Sequence, residues 1–184
     1  MIHEMVQRVA DAVPGSQLEE SYGQAQVRVP TERLAEAATA ARDAGFLMFV
    51  DLCAVDYLHR SPRFEVVAVL LSLDPPVRVR LVAGADADAP VVPSLTSVYP
   101  GANFYEREAY DLFGIAFTGH SDLRRILLPD DWIGHPLRKD WQDPDFYNGL
   151  HVKPTPQMAE RSMAGEKIGV GPFDFTPPNR HVAE

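Results

Sequence analysis

Residues 104–140 read FYEREAYDLFGIAFTGHSDLRRILLPDDWIGHPLRKD and set seven carboxylates and five Lys or Arg side chains among eight aromatic or histidine rings. Three chemistries could use such a set. His120, His135, Asp122, Asp130 and Asp131 are metal-ligand types, but their spacing matches no standard ligand pair such as HExxH, and histidines in Gly/Pro turns commonly bond local backbone. Glu106 and Asp111 could act as the acid and base of a hydrolase, although helix capping and ion pairing account for both acids. A nucleotide site needs a glycine-rich loop opening a helix; Gly165, Gly169 and Gly171 follow no strand-like run. The fourth use is docking. Exposed ion pairs contribute only about 0–1 kcal/mol each, so charges of both signs among rings point to a pre-shaped, partly desolvated surface that meets another polypeptide.

The elements that would carry these residues follow from the local pattern. Tyr99, Pro100 and Gly101 form a turn. Asn103 is a good N-cap, and Glu106 sits where a capping-box acid belongs. A helix then runs to Phe113 and stops at Gly114. On this helix Tyr105, Ala109, Tyr110, Leu112 and Phe113 cover one broad arc. Arg107, Glu108 and Asp111 lie opposite, with Arg107 and Asp111 at i,i+4 for an ion pair. Glu106 falls inside the apolar arc. If it is buried rather than capping, it needs a cation or several donors, because an unpaired buried charge costs several kcal/mol. Arg124 or Arg125, suited to bidentate pairing, is expected to pair with one acid among Glu106, Glu108 and Asp111. Turns follow at 119–122, 129–131 and 134–136, and Leu137, Arg138, Lys139 and Asp140 lead into the tail.

The first ninety residues read as a scaffold. An amphipathic helix is expected over 2–13, ended by Pro14 and Gly15. Strict alternation predicts a strand over 24–29, and small alanines predict a helix over 31–44 that lies close to a sheet. Apolar runs at 46–55 and 64–73, then alternation at 77–82, predict an antiparallel meander. The fold class is therefore α+β: a mixed or antiparallel sheet with helices on one face, followed by a motif-rich helix–turn segment and an extended C-terminal arm. The expected organisation is a scaffold at 1–92, a docking segment at 93–140 in the same domain, and an arm at 141–184. A short helix is possible from Thr155 in that arm, and Phe146, Tyr147, Leu150, Phe173 and Phe175 suggest that it orders against another protein.

Composition bounds the function. Hydrophobic content of 46% and charged content of 23% suit a globular protein with one core. No run reaches the roughly 18 apolar residues of a membrane span. The N-terminus carries acids early and has no apolar h-region, so no signal peptide is read and a cytoplasmic compartment is expected. A net charge of −9 argues against binding nucleic acid through phosphate. One cysteine, Cys53, forbids an internal disulfide and an iron–sulfur cluster built by this chain alone. It reads as a buried small hydrophobe within a strand.

The order Glu106, Arg107, Glu108, then Asp111, Leu112, Phe113, Gly114, Ile115, His120, Asp122, Leu123, Arg124, Arg125, Ile126, Leu127, and finally Gly134, His135, Pro136, Leu137, Arg138, Lys139, Asp140 resembles the signature of the thirty-kilodalton (C-type) subunit of respiratory complex I. Residues 92–96 leading into it are similar in layout. The resemblance implies a non-catalytic peripheral-arm subunit of a proton-translocating NADH:quinone oxidoreductase. It would sit peripherally on the cytoplasmic side of the cell membrane and dock on the quinone-site (D-type) subunit beside neighbouring iron–sulfur subunits. NADH, FMN, iron–sulfur clusters and quinone would belong to those partners, with no cofactor or metal in this chain. Glu106, Arg107, Glu108, Asp111, His120, Asp122, Arg124, Arg125, His135, Arg138, Lys139 and Asp140 would organise the interface. Phe104 stands where the family often has Trp, Ser121 replaces the usual Pro, and Trp141, Gln142, Asp143 and Pro144 replace the familiar continuation. Two alternatives remain open: the equivalent subunit of a membrane-bound hydrogenase or other quinone-linked complex, and a free-standing metal-dependent hydrolase using His120 and His135.

Overall fold

The computed structural model describes residues 4–151. The chain divides between Trp141 and Gln142. The first unit holds the sheet, the helices and the whole 104–140 segment. Of the second unit, the described part is a small antiparallel pair, β8 (Phe146–Tyr147) and β9 (Leu150–His151). The expected helix from Thr155, the glycines at 165–171 and the arm aromatics Phe173 and Phe175 lie outside the described residues.

The sheet forms where alternation and apolar runs place it. Strands β1 (Gln17–Ser21), β2 (Gln24–Val29), β3 (Met48–Asp56), β4 (Phe64–Leu73) and β5 (Pro76–Ala85) lie in the order β1-β2-β5-β4-β3. The meander β3-β4-β5 is antiparallel, as expected, while β2 joins β5 in parallel, so the sheet is mixed. Strand β1 was not anticipated. It pairs antiparallel with β2 through a turn at Tyr22 and Gly23.

Strand β4 shows why the layers form. Phe64, Val66, Ala68, Leu70 and Ser72 are buried on one face, while the residues between them are half-buried or exposed. Helix α1 (Glu4–Ala12) places Val6 and Val9 in the core. Helix α2 (Leu34–Asp43) adds Leu34, Ala37, Ala38 and Ala41, and follows a 3₁₀ turn (Thr31–Arg33) rather than starting at Thr31. Thr31 Oγ1 bonds the Gly84 carbonyl instead of capping the helix. The apolar residues named here belong to one hydrophobic cluster. Each fully buried Val, Leu or Phe in it contributes about 1.5–3 kcal/mol.

From the sheet the chain reaches β6 (Val91–Pro93), then helix α3 (Ala102–Phe113), then β7 (Ala116–Thr118), which pairs in parallel with β6. Helix α3 packs along β3, with Phe49 against Tyr105 at 5.6 Å between ring centroids. This packing sets the orientation of every charged group on α3. None of the described helices is long and apolar enough to cross a membrane.

Candidate functional site

Helix α3 begins one residue before the expected cap: Gly101 is its N-cap position and makes no side-chain capping bond. Glu106 does not cap the helix. It is fully buried and takes its donors from the segment upstream. Ser94 Oγ donates to its Oε2 and the Leu95 N–H donates to its Oε1, both at 2.6 Å. With the Ser94 proton committed to the carboxylate, the Thr96 hydroxyl is left to donate to Ser94 Oγ at 2.7 Å. The sequence requirement of several donors is met by a backbone N–H and a hydroxyl. Ser94, which supplies the hydroxyl, lies in the 92–96 run that leads into the motif, but nothing local links it to Glu106.

Burial pushes the Glu106 carboxyl above its ordinary value of 4.5, against the hydrogen bonds from Ser94 and Leu95. The native carboxyl therefore holds its proton more tightly than the unfolded one. Its contribution to stability is full below pH 4.5 and is lost as pH rises through the raised native value. A Glu106→Gln chain keeps the volume, accepts the Leu95 N–H at its amide oxygen, turns its amide N–H toward Ser94 Oγ, and lacks this titration. The stability of the natural chain relative to this variant is expected to decline as pH rises from 4.5 to 8. Urea midpoints across that range check it, and parallel curves would refute it.

Asp111 corrects the helical-wheel reading. It lies opposite the apolar arc, yet it is fully buried, because residues 124–138 fold over that side of α3. Its Oδ2 accepts the N–H groups of Ile126, Leu127 and Leu128 at 3.0, 2.7 and 2.9 Å. Its Oδ1 accepts Arg125 Nη1 at 2.7 Å, so Arg125 is the partner among the two expected arginines. The i,i+4 pair with Arg107 does not form. Arg107 turns instead to the carbonyls of Arg124 and Arg125. Burial acts to raise the Asp111 carboxyl, but the N–H groups of Leu128 and Leu127, the Arg125 guanidinium and the Ile126 N–H outweigh it, and the group lies below its usual value.

The same loop closes the end of α3. The last carbonyls of a helix have no partner within it. Here His135 Nδ1–H and Arg125 serve the Asp111 carbonyl, the Leu137 N–H serves that of Leu112, and Arg138 Nε serves that of Phe113 at 2.6 Å. Burial holds the His135 ring below the ordinary histidine value despite its bond to Asp111. Gly114, at φ +73°, is required twice over: a Cβ there would lie 2.5 Å from His135 Nε2 and 2.7 Å from Arg138. Gly134 likewise admits the Trp141 ring, which a Cβ would meet at 1.9 Å. Arg125 finishes its donors on the carbonyls of Trp132 and Gly134.

A second buried cluster ties the end of the segment to the sheet. Arg63 makes two bonds to Asp56, both at 2.8 Å, and two to Asp140, at 3.0 and 2.6 Å. The Lys139 N–H donates to Asp56 Oδ2. Arg63 and Arg138 both lie over the Phe64 ring. The Arg63 guanidinium holds the Asp56 and Asp140 carboxyls below their usual range. The sequence reading passed over Asp56 and Arg63, which sit at the ends of two apolar strands.

The remaining charged groups face solvent. Asp122 and Arg124 pair at 2.9 Å on the surface, Glu108 is exposed on α3, and the Lys139 side chain is exposed. His120 accepts the Asp122 N–H at Nδ1 and so turns Nε2–H to the Asn103 carbonyl. His120 and His135 thus bond separate backbone carbonyls, and among the described residues no three His, Cys, Asp or Glu side chains gather as a metal-binding group. The arrangement builds a rigid surface. Residues 119–141 form neither helix nor strand, yet they are pinned along their length, and Phe104, Leu127, Ile133 and Leu137 remain exposed on the outside.

Residues 27–147 match the family described as the 30 kDa subunit of respiratory-chain NADH dehydrogenase. The C subunit of the NADH-quinone oxidoreductase of Roseiflexus sp. (strain RS-1) is 52% identical over 133 residues, which cover 71% of this chain and 75% of that one. Its counterpart from Xanthobacter autotrophicus is 43% identical over 150 residues, 79% of this chain and 71% of that one. A solved trypsin-resistant fragment (1–134) of Nqo5 is 36% identical, with a TM-score of 0.59 over 65% of this chain and 99% of the fragment. A chain from the membrane-bound sulfane sulfur reductase, an archaeal respiratory membrane complex, shares the fold at 22% identity, with a TM-score of 0.67 over 76% of this chain and 84% of that one.

Proposed function

Because the chain belongs to the 30 kDa subunit family of respiratory-chain NADH dehydrogenase, we propose that it is a non-catalytic peripheral subunit of a proton-translocating NADH:quinone oxidoreductase. It sits on the cytoplasmic side of the membrane, and its 104–140 surface docks on the quinone-site subunit. The flavin, iron–sulfur clusters and quinone belong to the neighbouring subunits. Electron transfer is supported by shape, since this chain holds its neighbour in place rather than carrying electrons. Residues from 141 onward continue the contact along that neighbour.

One observation carries the reading. A loop without regular structure is fixed by buried charge while its outward side chains are apolar. Ile133 is 84% exposed and Leu127 61% exposed, although their neighbours Arg125 and His135 are tethered beneath. Rigid loops that present hydrophobic side chains suit recognition, because little conformational freedom is lost on binding. The twelve residues Glu106, Arg107, Glu108, Asp111, His120, Asp122, Arg124, Arg125, His135, Arg138, Lys139 and Asp140 then divide by role. Glu106, Arg107, Asp111, His120, Arg125, His135, Arg138 and Asp140 stiffen the surface, while Glu108, Asp122, Arg124 and Lys139 rim it.

The test is co-purification from gently solubilised membranes. Combined Leu127→Asp and Ile133→Asp substitutions are expected to lower recovery with the complex by about tenfold or more, since a buried anchor contributes about 2 kcal/mol. The stability of the free chain should change by about 0.5 kcal/mol or less. Undiminished recovery would refute the docking role. Recovery with the subunits of another quinone-linked complex would reassign the electron donor.

A further inference from the structure

The two edges of the sheet are treated differently. Edge strands expose unpaired N–H and C=O groups, and proteins blunt them with short length, charge, Pro or Lys. Strand β1 is short and carries Glu19 and Glu20. Strand β3, at the other edge, runs nine residues without Lys or Pro; of its two acids, Asp56 is buried against Arg63 and Asp51 alone lines the edge cleft. Its single irregularity lies between Phe49 and Asp51, which leaves Asp51 onward in regular register with β4. Among the described residues nothing pairs with its outer backbone edge.

A cleft of about 260 Å³ runs along that edge. It is lined by four consecutive residues, 51–54, whose side chains point to alternate faces of the sheet. The cleft therefore straddles the strand edge instead of lying on one face. Its far wall is α3, through Tyr105, Glu108 and Leu112 at helical spacing, and Leu137 of the docking loop closes one end. Asp51 and Glu108 both line it, and neither has a cationic partner among the described residues. Cys53, expected to be buried, is exposed at this open edge, and partial desolvation together with the Asp51 charge pushes its thiol up.

We propose that β3 is completed by an extended segment of the docking partner, added as a sixth strand along this edge, with a Lys or Arg of that segment reaching Asp51 and Glu108. Backbone hydrogen bonds give such an addition its affinity, and the groove side chains give it selectivity. A second copy of this chain is a poor occupant. Each chain carries a net charge of −9. A two-fold pairing of β3 with β3 would set both copies of Asp51 and Glu108 along one seam, where like charges oppose association.

The proposal rests on the docking reading and is tested separately from it by hydrogen exchange. The complex purified from gently solubilised membranes is compared with the isolated full-length chain. Alternate amides within residues 48–56 are expected to exchange at least tenfold more slowly in the complex. An Asp51→Lys chain, which leaves every residue of the docking surface unchanged, should lose that slowing at β3 while still being recovered with the complex. If the natural chain is incorporated but its β3 amides exchange as in the isolated chain, docking stands and strand addition is overturned. If the chain is not recovered with the complex at all, both fail. Protection of β3 already present in the isolated chain would give the edge to a second copy, if dimeric, or to the chain's own residues, if monomeric, and would also overturn the proposal.

Discussion

Replacing Asp111 with alanine is expected to destabilise the fold by about 3–5 kcal/mol, the usual consequence of removing one partner of a buried ion pair. The side chain is fully buried and receives Arg125 together with three successive N–H groups. Its loss leaves the Arg125 guanidinium charged beneath the loop and frees the N–H groups of Ile126, Leu127 and Leu128. Asp111→Asn keeps the volume and one acceptor, so its effect should be smaller. Urea unfolding measures the cost, and faster exchange of the amides at 126–128 locates it. A cost under about 1 kcal/mol would show that the loop is held by other contacts. The native carboxyl lies below the ordinary 3.8. Its contribution is therefore full above 3.8 and disappears as pH falls through the lower native value. The Asp111→Ala chain should lose that part of the acid dependence.

The second large effect is expected at Arg63. Its side chain is 10% exposed, that of Asp56 is 0% and that of Asp140 is 52%. Arg63→Ala strands a buried carboxylate at Asp56, with only the Lys139 N–H left to it, and should also cost about 3–5 kcal/mol. Asp140→Asn breaks a half-exposed pair and should cost about 0–1 kcal/mol. The contrast separates a buried charge from a surface one in the same cluster. A double change, Asp56→Leu with Arg63→Met, removes both buried charges. It should recover most of the loss, since apolar replacement of a buried pair is commonly neutral. Equal costs for Arg63→Ala and Asp140→Asn would overturn this account.

Strands β2 and β4 were legible because alternation and a long apolar run are local signals. Strand β1 was not, because its five residues hold one large apolar side chain, Leu18. Its only signal was the turn, Tyr22 and Gly23, both at positive φ as a two-residue hairpin requires. The pairing of an arginine at 124 or 125 with an acid on α3 was readable from chemistry alone. The choice of Asp111 was not, because a helical wheel assumes one buried face and α3 has two, the sheet on one side and the loop on the other. Glu106 was placed in the apolar arc, yet its Ser94 partner is supplied by a chain reversal that spacing does not reveal. Arg63 and Asp140 stand 77 positions apart, and no periodicity connects them.

The main tethers of the loop run inward, to Asp111, to the carbonyls of Leu112 and Phe113, and to Asp56 and Arg63. Leu127 and Ile133 project the other way. On the proposed docking role, fold integrity and partner choice are encoded on opposite sides of one short stretch of chain. A lineage or a designer can exchange the outward residues at little cost in stability, about 0.5 kcal/mol each, and so re-aim one inherited platform at a new assembly without rebuilding it.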